Sequence, residues 1–271
     1  FGLHAGACYN GGRPCSTGGF GWRAFRAPQM VIMDLDRLVR CSRELLGLDL
    51  SAEAQRSFSV YADELLAWNE KFNLTAITAP EEIEMRHFLD SLSVMRAVNF
   101  KAGLRVIDVG TGAGFPGLPL RLAFPGIELT LLEATAKKTA FLNHIVERLK
   151  LANVRVITAR AEDAGQDSAH RERYDIVLAR AVAQMPALAE YLLPLCRVGG
   201  RCVALKGENA VAEARQAEHA LRLLGGRVEK VIPVELPQVA ETHYLVMVHK
   251  SAATPPNYPR RAGMPTKRPL H

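Results

Sequence analysis

The chain has 271 residues, of which 48% are hydrophobic, and its formal net charge is +6. This length predicts one large domain or one domain with an appendage, and the apolar content is sufficient for a buried core. No apolar run approaches the roughly 18–20 residues of a membrane-spanning helix, so we expect a soluble protein. The five cysteines form no C-x-x-C pair, which indicates reduced thiols in a cytosolic protein rather than a disulfide framework or a zinc site.

The basic residues are concentrated at the two ends of the chain. Residues 1–29 contain three arginines and no acidic residue, and residues 250–271 contain five lysines or arginines and no acidic residue. Without these eight side chains, 26 of the 34 basic residues remain against 28 acidic ones, so the body is nearly neutral. A basic segment on such a body favours a polyanionic partner, although an ordinary soluble tail would have the same composition.

Residues 1–29 differ in composition from the rest of the chain. They contain seven glycines, show no periodic apolar pattern and lack the continuous apolar region of a signal peptide. We therefore expect this segment to be disordered or non-native, with the natural start at Met30, at Met33 or further upstream.

Residues 30–100 predict an N-terminal helical extension of three helices. A first amphipathic helix begins after Asp34, and Ser51 is a suitable N-cap for the second. A third helix follows Pro80. In the second helix, apolar residues recur at spacings of three or four and predict one buried stripe, formed by Phe58, Tyr61, Leu65, Trp68 and Phe72.

The third helix carries a polar face as well as an apolar one. Its (i, i+4) spacing predicts that Arg86 lies beside Asp90 and His87 beside Ser91. A surface salt bridge and a capping histidine would explain this face without any function. The functional alternative is a polar cluster facing a cleft, in which Arg86, His87 and Asp90 would position a substrate.

Residues 101–250 alternate short apolar runs with helical patterns. This βαβ order predicts a parallel sheet covered by helices on both faces, with strands at 105–109, 128–133, 154–159, 174–181 and 200–207. The last two runs, 227–237 and 242–250, are joined by about four residues, which is too short for a crossover and predicts an antiparallel hairpin. The predicted fold is α/β: a Rossmann-like, doubly wound sheet of seven strands with an antiparallel terminal hairpin.

The stretch DVGTGAGFPG, residues 108–117, is typical of a turn that holds an adenosine-bearing cofactor. Glycine is needed there because the backbone must adopt positive φ and approach the ligand closely. Asp108 disfavours a pyrophosphate but suits the cationic S-adenosyl-L-methionine (AdoMet), and Pro116 removes an N–H that a phosphate would use. With the terminal hairpin, these residues favour a class I AdoMet-dependent methyltransferase. An NAD-dependent oxidoreductase and a non-catalytic nucleotide-binding module remain the alternatives.

Further candidate site residues lie where predicted strands end. Glu133 ends the second strand and can accept hydrogen bonds from both ribose hydroxyls of an adenosine. Ala161 and Glu162 follow the third strand and can flank the adenine. Arg180 ends the fourth strand, where it could hold the cofactor or a phosphate, and Lys206 ends the fifth, where it could contact a nucleic acid.

The sequence contains no motif for removing a proton from the methyl acceptor. The fourth strand ends in LARAVAQ, residues 178–184, without the N/D-P-P-Y/F turn of exocyclic-amine methyltransferases, and Cys196 and Cys202 lie elsewhere. Guanine N7 attacks a methyl group directly through its lone pair, so catalysis can rest on proximity and alignment. The missing base is consistent with such an acceptor but does not establish it.

Six motifs, taken together and in order, resemble one known family. They are WNEKFNLT (68–75), RHFLDS (86–91), DVGTGAGFPG (108–117), LARA (178–181), LKG (205–207) and YPRRAGMPTKRPL (258–270). The set is similar to the bacterial small-subunit ribosomal RNA methyltransferase G family, also called glucose-inhibited division protein B. The resemblance covers residues 34–270, nearly the whole chain.

This resemblance implies AdoMet-dependent methylation of guanine N7 at position 527, in the 530 loop of 16S rRNA, with S-adenosyl-L-homocysteine as product and no metal. It implies a cytoplasmic protein that acts on 16S rRNA or a small-subunit precursor, without a membrane partner and with a monomer as the default. A small-molecule AdoMet methyltransferase is the alternative. The family pattern names no catalytic residue and places the cofactor contacts at Gly110, Phe115, Ala161, Glu162 and Arg180. Gly112 and Glu133 are added on physical grounds.

An rRNA substrate would also explain the basic C-terminal tail, residues 251–271, because lysine and arginine bind phosphates without regard to sequence. The target base must leave its stack to meet the cofactor, so a loop guanine is easier to methylate than a helical one. The RHFLDS face, residues 86–91, is then a candidate wall of the acceptor pocket.

Overall fold

The computed structural model describes residues 35–270, so the expectations for residues 1–29, Met30 and Met33 lie outside the described residues. Seven strands form one sheet in the order β3-β2-β1-β4-β5-β7-β6. The strands are β1 (Arg105–Val109), β2 (Glu128–Glu133), β3 (Val154–Thr158), β4 (Tyr174–Arg180), β5 (Cys196–Lys206), β6 (Gly226–Val234) and β7 (His243–Lys250).

The strand pairing confirms the predicted doubly wound sheet. Strands β1 to β5 pair in parallel, and β7 lies antiparallel between β5 and β6. The strand order reverses at β1, which pairs with both β2 and β4. In open α/β sheets the ligand binds at such a switch point, outside the carboxyl ends of the strands.

The connection between β6 and β7 is longer than the sequence predicts. β6 ends at Val234 and β7 begins at His243, so residues 235–242 link them. The apolar pattern overestimates the length of β6. Leu236 is buried, with 6% of its surface exposed, but it lies beyond Val234, the last residue of β6 that pairs with β7.

Helices cover both faces of the sheet. One face packs against α1 (Asp36–Leu46), α2 (Ala52–Phe72) and the helices Gly117–Ala123 and Ala136–Arg148. The other packs against the helices Ala161–Gln166, Met185–Leu192, Ala210–Gln216 and Glu218–Leu223. The last two follow each other directly, with residue 217 between them. Between residues 35 and 270, no helix is both long and apolar enough to cross a bilayer.

Helix α2 supports the glycine turn directly. Ser51 caps it as predicted, because its Oγ accepts a hydrogen bond from the Ala54 N–H at 3.1 Å. Of the predicted apolar stripe, Phe58, Tyr61 and Leu65 are fully buried, and Trp68 and Phe72 are partly buried against the same core. The Tyr61 hydroxyl donates to the Ala113 carbonyl at 2.5 Å, and its ring stacks on Phe115 at 5.4 Å. The N-terminal helices therefore share a core with the sheet.

The third helical run extends from Pro80 to Arg96 and contains a π-helical segment, Ile83–Leu89. A π turn closes i→i+5 hydrogen bonds and is wider than an α turn, so (i, i+4) residues no longer align on one face. The predicted side-chain pair of His87 and Ser91 is accordingly absent. Instead, the Ser91 hydroxyl donates to the His87 carbonyl at 2.5 Å.

The predicted pairing of Arg86 with Asp90 is also wrong. Arg86 pairs with Glu82, at 3.5 Å, and with Glu241, at 3.4 Å. Asp90 is buried instead and pairs with Arg180 from β4. A buried carboxylate needs a cation that is buried with it, and the partly exposed Arg86 does not meet that need.

Residues 251–270 pack against the body and do not form a projecting arm. Arg260 donates to both carboxylate oxygens of Glu190, at 2.7 to 3.1 Å, and Glu190 has no exposed surface. The Arg171 guanidinium donates to the carbonyls of Thr254 and Tyr258 at 2.7 to 2.8 Å. The predicted tail is therefore part of the fold over its described length. Its exposed basic side chains are Arg261, Lys267 and Arg268.

Candidate cofactor and acceptor site

The glycine turn begins where β1 ends. Gly110 and Gly112 adopt φ angles of +65° and +63°, which glycine reaches without steric strain. A Cβ at Gly112 would meet no atom within 4 Å, so the turn faces open space there. A Cβ at Gly110 would lie 2.8 Å from Val182 Cγ2, just after β4. The turn therefore leaves room for a ligand at Gly112 and is closed at Gly110.

Asp108 is fully buried in β1, beneath this turn. Its Oδ2 accepts hydrogen bonds from Thr111 Oγ1 at 2.5 Å and from the Gly117 N–H at 2.8 Å. Its Oδ1 is buried and makes no hydrogen bond to any residue between 35 and 270. Burial raises the pKa of Asp108 to about 6, although the two hydrogen bonds and Arg180 act in the opposite direction.

The helix after the turn is poorly suited to a pyrophosphate. A dinucleotide places its pyrophosphate on free N–H groups at such a helix N-terminus. Here Asp108 already accepts the Gly117 N–H, the first of the helix, and the preceding Pro116 has no N–H. The carboxylate thus occupies the position of the phosphate, which favours a ligand without one.

Glu133 ends β2 beside the turn and is buried. Its Oε2 accepts a hydrogen bond from the Gly112 N–H at 3.0 Å, and its Oε1 accepts one from the Thr135 N–H at 2.9 Å. Each carboxylate oxygen has a second lone pair, so Glu133 can hold the turn and still accept hydroxyl hydrogen bonds.

Ala161 and Glu162 begin the short helix that follows β3. Glu162 is buried, and its Oε1 accepts a hydrogen bond from the Gly263 N–H at 2.7 Å. The side chain that the sequence predicts beside the adenine is therefore also tied to the C-terminal segment. This bond brings residue 263 to the carboxyl edge of the sheet, next to the candidate site.

Arg180 ends β4 and connects three parts of the site. Its Nη1 donates to the Arg86 carbonyl at 2.9 Å and to Asp90 Oδ2 at 3.1 Å, and its Nη2 lies 3.2 Å from His87 Nδ1. The guanidinium carbon lies 4.9 Å from the centre of the Phe115 ring. Arg180 thereby joins the π-helical segment to the glycine turn.

His87 is a neutral, buried member of this cluster. Because the Arg180 guanidinium can only donate, His87 Nδ1 accepts, and the opposite Nε2 donates to Thr75 Oγ1 at 2.8 Å. Its ring stacks on Phe115 at 4.4 Å. Burial, followed by the charge of Arg180, lowers the pKa of His87 to about 3. The ring therefore remains uncharged at neutral pH and supports Phe115 from one side.

Asp90 also contacts His243, a residue that the sequence patterns did not single out. Asp90 Oδ1 accepts a hydrogen bond from His243 Nδ1 at 2.9 Å. The Asp90 side chain is 5% exposed and that of His243 is 25% exposed. This bond raises the pKa of His243. The available signal was a histidine at the start of the strand HYLVMVHK, ahead of the apolar residues 245–248.

Lys206 and Arg86 are held in ion pairs outside this cluster. Lys206 Nζ lies 2.6 Å from Glu213 Oε2, and 11% of its side chain is exposed. Arg86, with 32% of its side chain exposed, lies between Glu82 and Glu241. Lys206 is therefore less accessible to a nucleic acid than its position at a strand end suggests.

The carboxyl edge of the sheet thus brings together most of the predicted residues: Gly110, Gly112, Phe115, Glu133 and Arg180, with His87 and Asp90 behind them. The open space at Gly112, the unpaired Oδ1 of Asp108 and the free lone pairs of Glu133 fit a ligand that has cationic groups and a ribose. Over residues 35–270, no three His, Cys, Asp or Glu side chains are grouped to hold a metal ion.

The strand order, the antiparallel β7 and the glycine turn after β1 define the fold of class I AdoMet-dependent methyltransferases. The family model described as rRNA small subunit methyltransferase G matches residues 54–240, and the chain belongs to this family. The family and the fold together decide against an NAD-dependent oxidoreductase.

Relatives match nearly the whole chain. Ribosomal RNA small subunit methyltransferase G of Roseiflexus castenholzii is 49% identical over 236 residues, which are 87% of this chain and 100% of that protein. The protein of the same name from Desulfitobacterium hafniense is 44% identical over 233 residues, 86% of this chain and 96% of the relative. Among solved structures, a precorrin-6y C5,15-methyltransferase from Geobacter metallireducens aligns with a TM-score of 0.47 and 16% identity, over 59% of this chain and 87% of the other.

Proposed function

We propose that this protein transfers a methyl group from AdoMet to N7 of a guanine in small-subunit rRNA, the guanine at position 527 in the 530 loop. The observation that carries the proposal is the hydrogen bond from the Gly117 N–H to Asp108, which leaves that N–H unavailable to a phosphate. The relatives of this chain are named ribosomal RNA small subunit methyltransferase G. The product would be S-adenosyl-L-homocysteine. We also propose that the protein acts in the cytoplasm, as a monomer, on 16S rRNA or a small-subunit precursor.

The cofactor would lie across the glycine turn. AdoMet supplies an electrophilic methyl group on a sulfonium centre. The backbone of Gly112 leaves room for it, Glu133 would accept hydrogen bonds from the ribose, and the unpaired Oδ1 of Asp108 would favour its positive charge. The remaining cofactor contacts are proposed at Gly110, Phe115, Ala161, Glu162 and Arg180.

The acceptor requires no base in this reaction, because guanine N7 uses its own lone pair. The polar side chains of the site are consistent with this chemistry. Both ring nitrogens of His87 are engaged, and both carboxylate oxygens of Asp90 are engaged. The protein would therefore act by holding an unstacked guanine in line with the methyl group.

The affinity for AdoMet is expected to fall as the pH falls through about 6, because of Asp108. Burial raises the pKa of this carboxyl to about 6, above its ordinary value of 3.8. Above pH 6 the carboxylate is ionised and attracts a cationic ligand, and below pH 6 it is neutral. Calorimetry with AdoMet should show the affinity falling below the pKa and levelling off once the carboxyl is protonated.

The matched control for this pH dependence is Asp108→Asn. Its amide oxygen can still accept the bonds from Thr111 and Gly117, but its charge does not change with pH. We expect weaker AdoMet binding with little pH dependence. The same pH profile in this variant and in the native protein would show that another group is responsible.

The exposed Arg261, Lys267 and Arg268 are proposed to bind rRNA phosphates. Replacing all three with alanine is expected to weaken RNA binding and to reduce the slope of log affinity against log salt by about 2 to 3, since each neutralised phosphate contributes about 0.7 to 0.9. Filter binding over a salt series measures this slope. Arg260 is left in place because it holds the buried Glu190.

The control for the triple variant removes three exposed basic side chains elsewhere, namely Arg56, Lys71 and Lys101. It changes the net charge by the same amount. If both triple variants lowered the slope equally, net charge would be responsible and the C-terminal contact would be rejected. Deleting the segment is a poorer test, because residues 251–270 are packed into the fold.

The acceptor is tested by mass mapping of 16S rRNA from cells that lack this gene. One 7-methylguanosine in the 530 loop should disappear. It should return when the native gene is supplied, and it should not return with a Gly112→Ala variant. An unchanged modification in the deletion strain would contradict the assignment of the acceptor.

A further inference from the structure

His243 lies at the same edge of the sheet as the glycine turn, although it belongs to the last strand. β7 runs antiparallel to β5, and Tyr244 pairs with Lys206, the last residue of β5. His243 therefore lies just beyond the carboxyl end of β5. Asp90 links it to Arg180, because the two carboxylate oxygens of Asp90 accept hydrogen bonds from these two residues.

The hydrogen bond to Asp90 fixes the orientation of the His243 ring. An ionised carboxylate can only accept, so Nδ1 of His243 carries a proton. Nε2 makes no hydrogen bond to any residue that the structure describes, and a quarter of the side chain is exposed. The ring is thus anchored at Nδ1, and Nε2 is left available for a further partner.

The charged groups around His243 favour its protonated form. Asp90 contacts the ring, the charges of Arg86 and Glu241 also act on it, and Arg180 pairs with the other carboxylate oxygen of Asp90. The hydrogen bond to Asp90 outweighs partial burial and the charge of Arg86, and it raises the pKa of His243 above the ordinary 6.5. The imidazolium, which donates from both nitrogens, therefore persists to a higher pH than in free histidine.

A single oriented N–H donor at this edge is complementary to one edge of guanine. The major-groove edge of guanine presents two acceptors, O6 and N7. N7 must stay free to attack the methyl group, so O6 is the acceptor left for the protein. Adenine has an N6 amino group at that position, and its N–H would oppose the N–H of the histidine.

We propose that Nε2–H of His243 donates a hydrogen bond to O6 of the acceptor guanine and that Asp90 orients the ring for this contact. The proposal rests on the proposed function and adds to it the group that selects guanine over adenine.

The first test combines a change in the protein with a change in the base. The substrate is a reconstituted small-subunit particle in which the target guanine is replaced by 2-aminopurine, which keeps N7 and lacks O6. On guanine, His243→Ala is expected to lower kcat/KM by about tenfold, as the loss of one charge-assisted hydrogen bond would. On 2-aminopurine, the variant and the native protein should be equal. His219→Ala, on an exposed helix position, should behave as the native protein on both substrates.

Equal losses for His243→Ala on both substrates would overturn the contact with O6, while methylation of the guanine particle by the native protein would leave the proposed function standing. If the native protein methylated neither particle, the proposed function would fail, and the contact with it. The two failures are therefore distinguishable.

The second test uses pH and a conservative variant. In the native protein, KM for the particle should rise as the pH rises above the histidine range, because the Nε2 proton is lost, while the affinity for AdoMet changes little. His243→Gln retains an uncharged N–H donor and should recover part of the loss without pH dependence. Identical KM profiles for the native protein, His243→Ala and His243→Gln would refute the proposal.

Discussion

Replacing Arg180 with alanine is expected to lower methyl transfer by about 100-fold or more and to destabilise the protein by about 3 kcal/mol. The guanidinium is the main cationic partner of Asp90, whose side chain is 5% exposed, and it lies over the Phe115 ring. Without it, Asp90 Oδ2 loses its only described partner within a buried cluster. Steady-state kinetics measure the first effect and urea denaturation the second.

A second variant separates folding from function at this position. In Arg180→Ala combined with Asp90→Asn, the buried carboxylate that has lost its guanidinium partner is replaced by a neutral amide, so much of the lost stability should return. Methyl transfer should stay low, because the guanidinium beside the glycine turn is still missing and His243 has lost its carboxylate partner. Native activity in the double variant would show that Arg180 serves only to neutralise Asp90.

Replacing Gly112 with alanine is expected to weaken the binding of S-adenosyl-L-homocysteine by about 100-fold or more, while the fold persists. The φ angle of +63° costs an alanine about 1 kcal/mol, which a domain of this size tolerates. The added Cβ meets no protein atom, so it projects into the open space proposed for the cofactor. Calorimetry measures the affinity, and a thermal scan measures the stability.

Gly103 supplies a matched control for this substitution. Its φ angle is +80°, and a Cβ there would likewise meet nothing within 4 Å, but it precedes β1 at the opposite end of the strand. Gly103→Ala should therefore lower stability by a similar amount and leave the affinity unchanged. If Gly112→Ala and Gly103→Ala bound S-adenosyl-L-homocysteine with equal affinity, the cofactor would not lie at Gly112. Gly110 is less suitable, because a Cβ there also collides with Val182.

The cofactor side of the site could be predicted because it lies in one local stretch. β1 and β2 begin and end at the predicted residues, since buried parallel strands are continuous apolar runs bounded by turns. The glycines and Asp108 all lie within ten consecutive residues, 108–117. The kind of cofactor could therefore be predicted from this stretch alone. The structure adds that Asp108 itself accepts the N–H that a phosphate would need.

The acceptor side of the site could not be predicted in the same way. Asp90 meets Arg180 across 90 positions of the chain and His243 across 153. The α-helical spacing around Asp90 suggested Arg86 as its partner, and the π segment removes that alignment. A π turn closes its hydrogen bonds one residue further along the chain than an α turn does. No local propensity of residues 83–89 predicts this difference.

The sequence by itself determined the class of fold, the cofactor turn and the family, because hydrophobic periodicity and turn chemistry are local properties of the chain. Only the tertiary structure decided how the buried charges pair. In the structure, Asp90 pairs with Arg180 and His243, and Glu190 pairs with Arg260. Glu162 accepts a hydrogen bond from the Gly263 N–H. A buried charge is stabilised only by residues that the tertiary packing brings close to it. Those residues come from distant segments, so no single segment of the sequence identifies the pair.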